Sequence, residues 1–264
     1  MDTGKRETTE MAQAKTKSIS KRRKGGIPEK KSSGDTAFAK GKGMANVSPL
    51  KEIVRRLDGK GAFGDAHGTV SIRIPGGNDF LFLDTSSAMT GKRSRDYEAM
   101  DRSSAPDKDL YDLHAKIYET RGDVGAIMTG CPKWGMSLGQ IPGPMPAVFD
   151  EQARQLGKSI KHFSDELHEK NPRELFKELS SGSNVVLLSD SVLVCGVTPE
   201  KLVFNSELLE KCARAYLYAY LTGQKIRKIP FYVRIIANSR MLKDQKRSAE
   251  SYARGEVPGG FTAY

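Results

Sequence analysis

The chain has 264 residues, of which 43 are Lys or Arg and 32 are Asp or Glu, so its formal net charge is +11. That length is enough for one large domain or two small ones with a real core. No apolar run approaches the roughly 18–20 residues that a membrane-spanning helix needs, so the sequence excludes an integral membrane protein.

The cysteines and the N-terminal sequence indicate in which cellular compartment the protein is located. Cys131, Cys195 and Cys212 are too few and too scattered for a disulfide framework, and no Cys-x-x-Cys pair is present to hold zinc. The N-terminus has no apolar stretch of the kind found in secretory signals. We therefore expect an intracellular protein, placed in the cytoplasm, with the nucleus left open.

Residues 1–44 are rich in Lys, Ser, Thr and Gly, and this composition predicts a disordered basic tail. Residues 1–43 contain 12 Lys or Arg and 5 Asp or Glu, and so hold +7 of the net charge. This composition is typical of a solubilising tail, of a nuclear address, or of an arm that binds phosphates or another acidic surface. The arm residues proposed for that binding are Lys21, Arg22, Arg23, Lys24, Lys30 and Lys31.

From residue 48 onward the hydrophobic periodicity alternates between helical and strand patterns. The clearest helix has Thr198 at its N-cap, Pro199 at its first position and Gly223 beyond its end. Long loops are predicted over 84–106 and, because of four prolines, over 130–147. Helices are predicted from 48, over 107–121, 149–163, 172–180, from 198 and over 238–254, and strands over 69–74, 80–83, 124–128, 185–188, 192–195 and 231–236.

Four segments resemble the class II aldolase/adducin domain family over roughly residues 46–237. Residues 68–73 (Gly-Thr-Val-Ser-Ile-Arg) are similar to its Gly-Asn-x-Ser-x-Arg strand, and residues 113–127 resemble its Leu-His-x-x-Ile-Tyr-x-x-Arg-x-Asp-Val run. Residues 192–196 and 198–223 resemble a later strand and the long helix after it. The resemblance implies α/β/α layers around a mostly antiparallel central sheet. It divides the chain into a basic tail (1–44), the aldolase-like domain (45–237) and a charged helical extension (238–264).

The same resemblance implies a zinc site and an acid/base carboxylate that this sequence does not match. The family's His-x-His pair falls at Thr129 and Cys131, its third histidine at Asp190, and its Glu at Leu110. The phosphate-binding Asn falls at Thr69, and the Ser-Gly turn falls near residues 85–87. We therefore predict no catalytic residue, no metal ligand and no cofactor at these degenerate positions.

Three hypotheses follow. The first is a non-catalytic structural or assembly protein, whose basic arm anchors it to an acidic partner such as RNA in a ribonucleoprotein, or to another anionic surface. Its assembly is expected to be the family's homo-tetramer or a hetero-assembly. The alternative is a sugar-phosphate aldolase or dehydratase-like enzyme with relocated residues, in which Cys131, His67 and Asp190 converge and the cysteine pKa is depressed. The third is a nucleic-acid binder that depends on the arm.

Overall fold

The computed structural model describes residues 48–85, 100–163 and 173–259. The basic arm, residues 86–87 of the predicted phosphate turn, and His168 lie outside these ranges. None of the helices in the described ranges is long and apolar enough to cross a membrane.

A six-stranded sheet forms the centre of the domain, in the order β2-β1-β3-β8-β7-β6. All its pairings are antiparallel except that of β6 with β7. A second, two-stranded sheet pairs β4 with β5. The strands are β1 (Thr69–Arg73), β2 (Phe80–Asp84), β3 (Ala126–Gly130), β4 (Met145–Pro146), β5 (Ser159–Ile160), β6 (His162–Phe163), β7 (Val185–Leu188) and β8 (Val192–Gly196).

Helices cover both faces of this sheet. They are α1 (Ser48–Asp58), α2 (Lys108–Thr120), α3 (Lys133–Ser137), α4 (Asp150–Gln155), α5 (Arg173–Ser180), α6 (Pro199–Leu221) and α7 (Phe231–Ala253). Because side chains alternate along a strand, each strand feeds two cores. On β3, Met128 packs with residues of α1 and α6, whereas Ile127 packs with residues of α2 and α5. These α/β/α layers confirm the predicted fold class.

Local signals fix the two helices that border the candidate site. The Asp107 carboxylate accepts the backbone N–H of Leu110 at 2.9 Å and caps α2. Thr198 caps α6 through Lys201 N–H at 3.2 Å, and Gly223 follows that helix with φ of +69°. The structure confirms the predicted hairpin, formed by β1 and β2. It also confirms the helices predicted from 48, over 107–121, over 172–180 and from 198.

The strand predicted over 231–236 is wrong, because these residues form the first turns of α7. Their aromatic and β-branched side chains have high strand propensity, but the helix is stabilised by packing further along it. Residues at helical spacing face the protein, namely Ala237, Asn238, Met241, Gln245, Ser248 and Tyr252. The predicted helix over 238–254 is the remainder of α7.

Two further predictions between β3 and β7 are also wrong. The 130–147 segment is not a continuous loop: Pro132 stands at the N-cap of α3, and the Glu210 carboxylate accepts the N–H groups of Trp134 and Gly135. The helix expected over 149–163 ends at Gln155, since Gly157 has φ of +126° and the chain then enters β5 and β6.

Candidate functional site

One predicted metal position, Thr129, and the predicted phosphate position, Thr69, meet at the paired ends of β1 and β3. Thr69 and Thr129 are directly opposite each other in the sheet register, and their hydroxyl oxygens lie 2.6 Å apart. Both residues are only 1% exposed. The Thr69 hydroxyl also lies 3.2 Å from Nε2 of His114 on α2. These groups therefore satisfy one another inside the protein.

His114 continues this buried chain of hydrogen bonds. Its Nδ1 lies 2.8 Å from the Ser71 hydroxyl, which lies 2.9 Å from the hydroxyl of Tyr118. Complete burial lowers the pKa of His114 to about 3, so the ring is neutral near pH 7. A neutral imidazole has one donor and one acceptor nitrogen, which matches a hydroxyl partner on each side. We call Thr129, Thr69, His114, Ser71 and Tyr118 the buried hydroxyl–histidine network.

Cys131 and Asp190 are brought together at the rim of the same region. The Cys131 thiol donates to the backbone carbonyl of Asp190 at 3.1 Å, while the Asp190 residue itself is exposed. Burial, followed by the negative charge of Asp190, raises the pKa of the Cys131 thiol above its usual value. A thiol in this setting is a weaker nucleophile near neutral pH than an ordinary cysteine, because less thiolate is present.

The remaining predicted positions have local roles. Leu110 packs at the edge of the core between the sheet and α2. The Thr85 hydroxyl accepts the Gly68 N–H at 2.7 Å, while the Thr85 N–H donates to the Gly68 carbonyl. This double link joins the start of β1 to the end of β2. His67 is exposed.

Arg73 is the cation closest to the network along β1, and its donors are already used. Its guanidinium donates to the carbonyls of Val124, Gly77, Tyr118 and Arg121 and to the side chain of Asn78, at 2.6–3.1 Å. The residue is only 3% exposed. Arg73 therefore holds the β1–β2 turn against the end of α2 and has no donor left for a ligand.

A metal-binding arrangement is absent from the described ranges. No group of three or more His, Cys, Asp or Glu side chains in residues 48–85, 100–163 and 173–259 is placed to hold a metal ion. Cys131, His67 and Asp190 thus do not form a three-ligand site.

Sequence reasoning missed the extent of the buried network. It did not connect His114, which is fully buried, to Ser71 and Tyr118. The signal was present in β1, where three polar residues, Thr69, Ser71 and Arg73, alternate with apolar ones. On a strand buried on both faces, a polar face requires buried partners.

The strand order and the helices on both faces define a layered α/β domain built on a largely antiparallel sheet. Residues 49–217 match the model of the class II aldolase and adducin N-terminal domain. The chain therefore belongs to the class II aldolase/adducin family.

Solved structures agree with this assignment. An L-fuculose 1-phosphate aldolase is 18% identical, with a TM-score of 0.59 over 76% of this chain and 100% of that one. The L-fuculose-1-phosphate aldolase of Thermus thermophilus is 18% identical, with a TM-score of 0.54 over 67% and 95%. An aldolase II superfamily protein of Pseudomonas syringae is 14% identical, with a TM-score of 0.58 over 79% and 93%. These likenesses show the fold alone, and no curated protein sequence matches the chain.

Proposed function

We propose that the protein is a non-catalytic member of its family, which uses the aldolase-like domain for assembly and its basic arm to hold an acidic partner. The observation that carries this proposal is the buried hydroxyl–histidine network, which ties up Thr129 at one of the predicted metal positions and Thr69 at the predicted phosphate position. The tetramer that the family resemblance implies, or a hetero-assembly, is the expected state, and cytoplasm the expected compartment.

The donor set does not suit the zinc ion that the resemblance implies. A catalytic zinc site takes three His, Cys or carboxylate ligands and keeps one open position. Of the three aligned positions, Thr129 offers a hydroxyl already held by Thr69, and only Cys131 and Asp190 offer suitable donor types. Their recorded contact uses the backbone carbonyl of Asp190, not its carboxylate.

Proton transfer meets a similar obstacle. Leu110, aligned with the family's acid/base Glu, has no titratable group. His114 is fully buried with its pKa lowered to about 3, so it is a poor base near neutral pH. The raised pKa of Cys131 likewise argues against the relocated-enzyme alternative, which requires a depressed one.

Metal content and aldol cleavage test the non-catalytic role together. For the purified, tag-free chain, mass spectrometry is expected to find less than about one-tenth of a zinc per chain, since a two-ligand set binds zinc weakly. Cleavage of L-fuculose 1-phosphate with added zinc is expected to stay at the background rate. A fuculose-phosphate aldolase carried through the same purification is the positive control. One zinc per chain, or turnover above background, would return the enzyme alternative to first place.

The arm supplies the second half of the proposal. Its charge is +7 over residues 1–43, and its six most clustered cations occupy positions 21–24 and 30–31. Lys and Arg that neutralise phosphates release counterions, so binding of this kind weakens steeply with salt. Because contacts to phosphates carry no sequence information, we expect the arm to bind RNA with little preference for sequence.

Deleting residues 1–43 is expected to lower affinity for a single-stranded RNA 20-mer about tenfold or more at 0.1 M salt and to flatten the salt dependence. Fluorescence anisotropy across a salt series measures both quantities. A second variant keeps the full length of the arm but removes positive charge, and so separates the effect of charge from that of length. It should behave like the deletion, and it carries Gln in place of Lys21, Arg22, Arg23, Lys24, Lys30 and Lys31. Unchanged affinity in both variants would refute the anchoring role.

A further inference from the structure

An open groove lies between the end of α6 and the start of α7, away from the family's site. It has a volume of about 880 Å³, and its lining includes Tyr220, Ile226, Phe231 and Ile235. Phe231 is 67% exposed, Ile235 48% and Tyr220 44%. We call this cavity the α6–α7 groove.

More apolar side chains are exposed on the same two helices. Leu221 is 79% exposed at the end of α6, and Tyr232 and Ile236 are 66% and 50% exposed on α7. Single exposed apolar residues are ordinary, whereas a contiguous patch marks an interaction surface. The first two turns of α7 thus present apolar side chains outward while the later turns pack on the domain.

The charged residues that line the groove are all cations. Residues 212–243 contain seven Lys or Arg and no Asp or Glu. None of the seven forms an ion pair within the described part of the chain. Two of them, Lys228 and Arg234, line the groove together with Lys158 from the loop before β5. The groove is therefore an apolar trough with a cationic rim.

We propose that the α6–α7 groove docks an acidic amphipathic segment of a partner protein. Apolar side chains of that segment fill the trough, and its flanking Asp and Glu pair with Lys158, Lys228 and Arg234. An amphipathic helix laid in an apolar groove is a recurrent recognition mode, and complementary rim charges supply orientation and association rate.

Charge and chemistry distinguish this occupant from the others. The chain's own arm is itself basic, at +7 over residues 1–43, so the rim repels it. A second copy placed symmetrically on the same face would bring like cations together. RNA would satisfy the cations and stack on Phe231 and on the tyrosines of the lining, but Ile226 and Ile235 offer no stacking surface. The mixture of aliphatic lining and cationic rim fits an acidic protein segment best.

The test uses the full chain and a defined probe. The probe is a fluorescein-labelled 18-residue helical peptide with Leu along one face and Glu on the other, titrated by anisotropy. We expect saturable binding that weakens about tenfold or more in the variant Phe231→Ser/Ile235→Ser, because two apolar contacts are lost. A Lys158→Glu/Lys228→Glu variant, which changes only exposed side chains, is expected to weaken binding as well, more strongly at low salt.

Matched controls make the result specific. Leu242→Ser changes an exposed leucine of α7 outside the groove lining, and Lys108→Glu reverses an exposed charge on α2; each should change affinity less than about twofold. A peptide with Lys in place of Glu should not bind. Equal affinity of the acidic peptide for the wild type and both groove variants would overturn the proposal. Binding of a 12-mer of oligouridylate in the groove, without binding of the peptide, would also overturn it. So would light scattering that shows the wild type to self-assemble through the groove, if Phe231→Ser/Ile235→Ser dissociates that assembly and the peptide binds only the dissociated form.

Discussion

Replacing Arg121 with Met is expected to lower the free energy of unfolding by about 3–5 kcal/mol. Arg121 is 4% exposed and forms a bidentate pair with Asp123, with both N–O distances 2.7 Å. It also donates to the carbonyls of Leu179 and Ser183 and to the side chain of Asn184. Its loss leaves the buried Asp123 carboxylate unpaired and removes one donor from each of the three other acceptors. The end of α2 also loses its hydrogen bonds to α5 and to the segment before β7.

Chemical denaturation followed by circular dichroism measures this cost, and the chain provides a close control. Arg102 makes the same bidentate contact with Asp112, at 2.6 and 2.7 Å, but both side chains are about half exposed. Arg102→Met should therefore lower the free energy of unfolding far less than Arg121→Met does, because solvent screens an exposed ion pair. Equal costs for the two substitutions would show that burial does not set the value of the Arg121 pair.

Acidification is expected to destabilise the protein through His114, by about 1.4 kcal/mol per pH unit between pH 6.5 and about 3. Burial lowers the folded-state pKa to about 3, whereas the unfolded chain takes up a proton near 6.5. The stability from the neutral ring is thus present above pH 6.5 and is lost as the pH falls towards 3. Its nearest partners are the hydroxyls of Thr69 and Ser71 and the ring of Phe82, none of which compensates a positive charge.

Comparison with His114→Gln isolates this contribution, because carboxylates titrating over the same range contribute to both proteins. The glutamine variant is expected to be less stable at pH 7, since it disturbs the buried network, but to lose less stability on acidification. His162→Gln, which makes the same substitution at an exposed position in β6, is the control measured in parallel. Parallel profiles for wild type and His114→Gln between pH 7 and 4 would contradict the assignment.

Most of the layered fold was predictable because its signals are local. Asp107 and Thr198 are side-chain caps next to periodic apolar runs, and the strands buried on both faces are continuous apolar segments. The segment 231–236 was not predictable in this way, because its local propensity favours a strand and the helix depends on later residues of α7. The helix α3 was hidden for a different reason: Glu210, 76 residues from Trp134, caps it.

The candidate site was predictable only as a set of departures from a family pattern. The alignment placed Thr129, Cys131 and Asp190 at metal positions, and this assignment remains a prediction. Sequence alone did not show that the Thr129 hydroxyl is taken by Thr69, or that Cys131 contacts the Asp190 backbone. Those facts depend on the register of β1 with β3 and on the turn between β7 and β8, which bring together residues 59 or more positions apart.

Trp134 gives the protein a built-in optical probe of the face of α6 that carries Tyr218. It is the only tryptophan in the sequence, and its ring is half-buried. The ring lies edge-on to that of Tyr218, with 5.4 Å between the two ring centroids. The Lys133 ammonium lies 5.2 Å from the centroid of the Trp134 ring. Tyr218 is itself 56% exposed near the end of α6. A partner that covers Tyr218 on this face of the helix changes the solvent around the indole, so its emission wavelength and its quenching by iodide follow occupancy of that face without any attached dye.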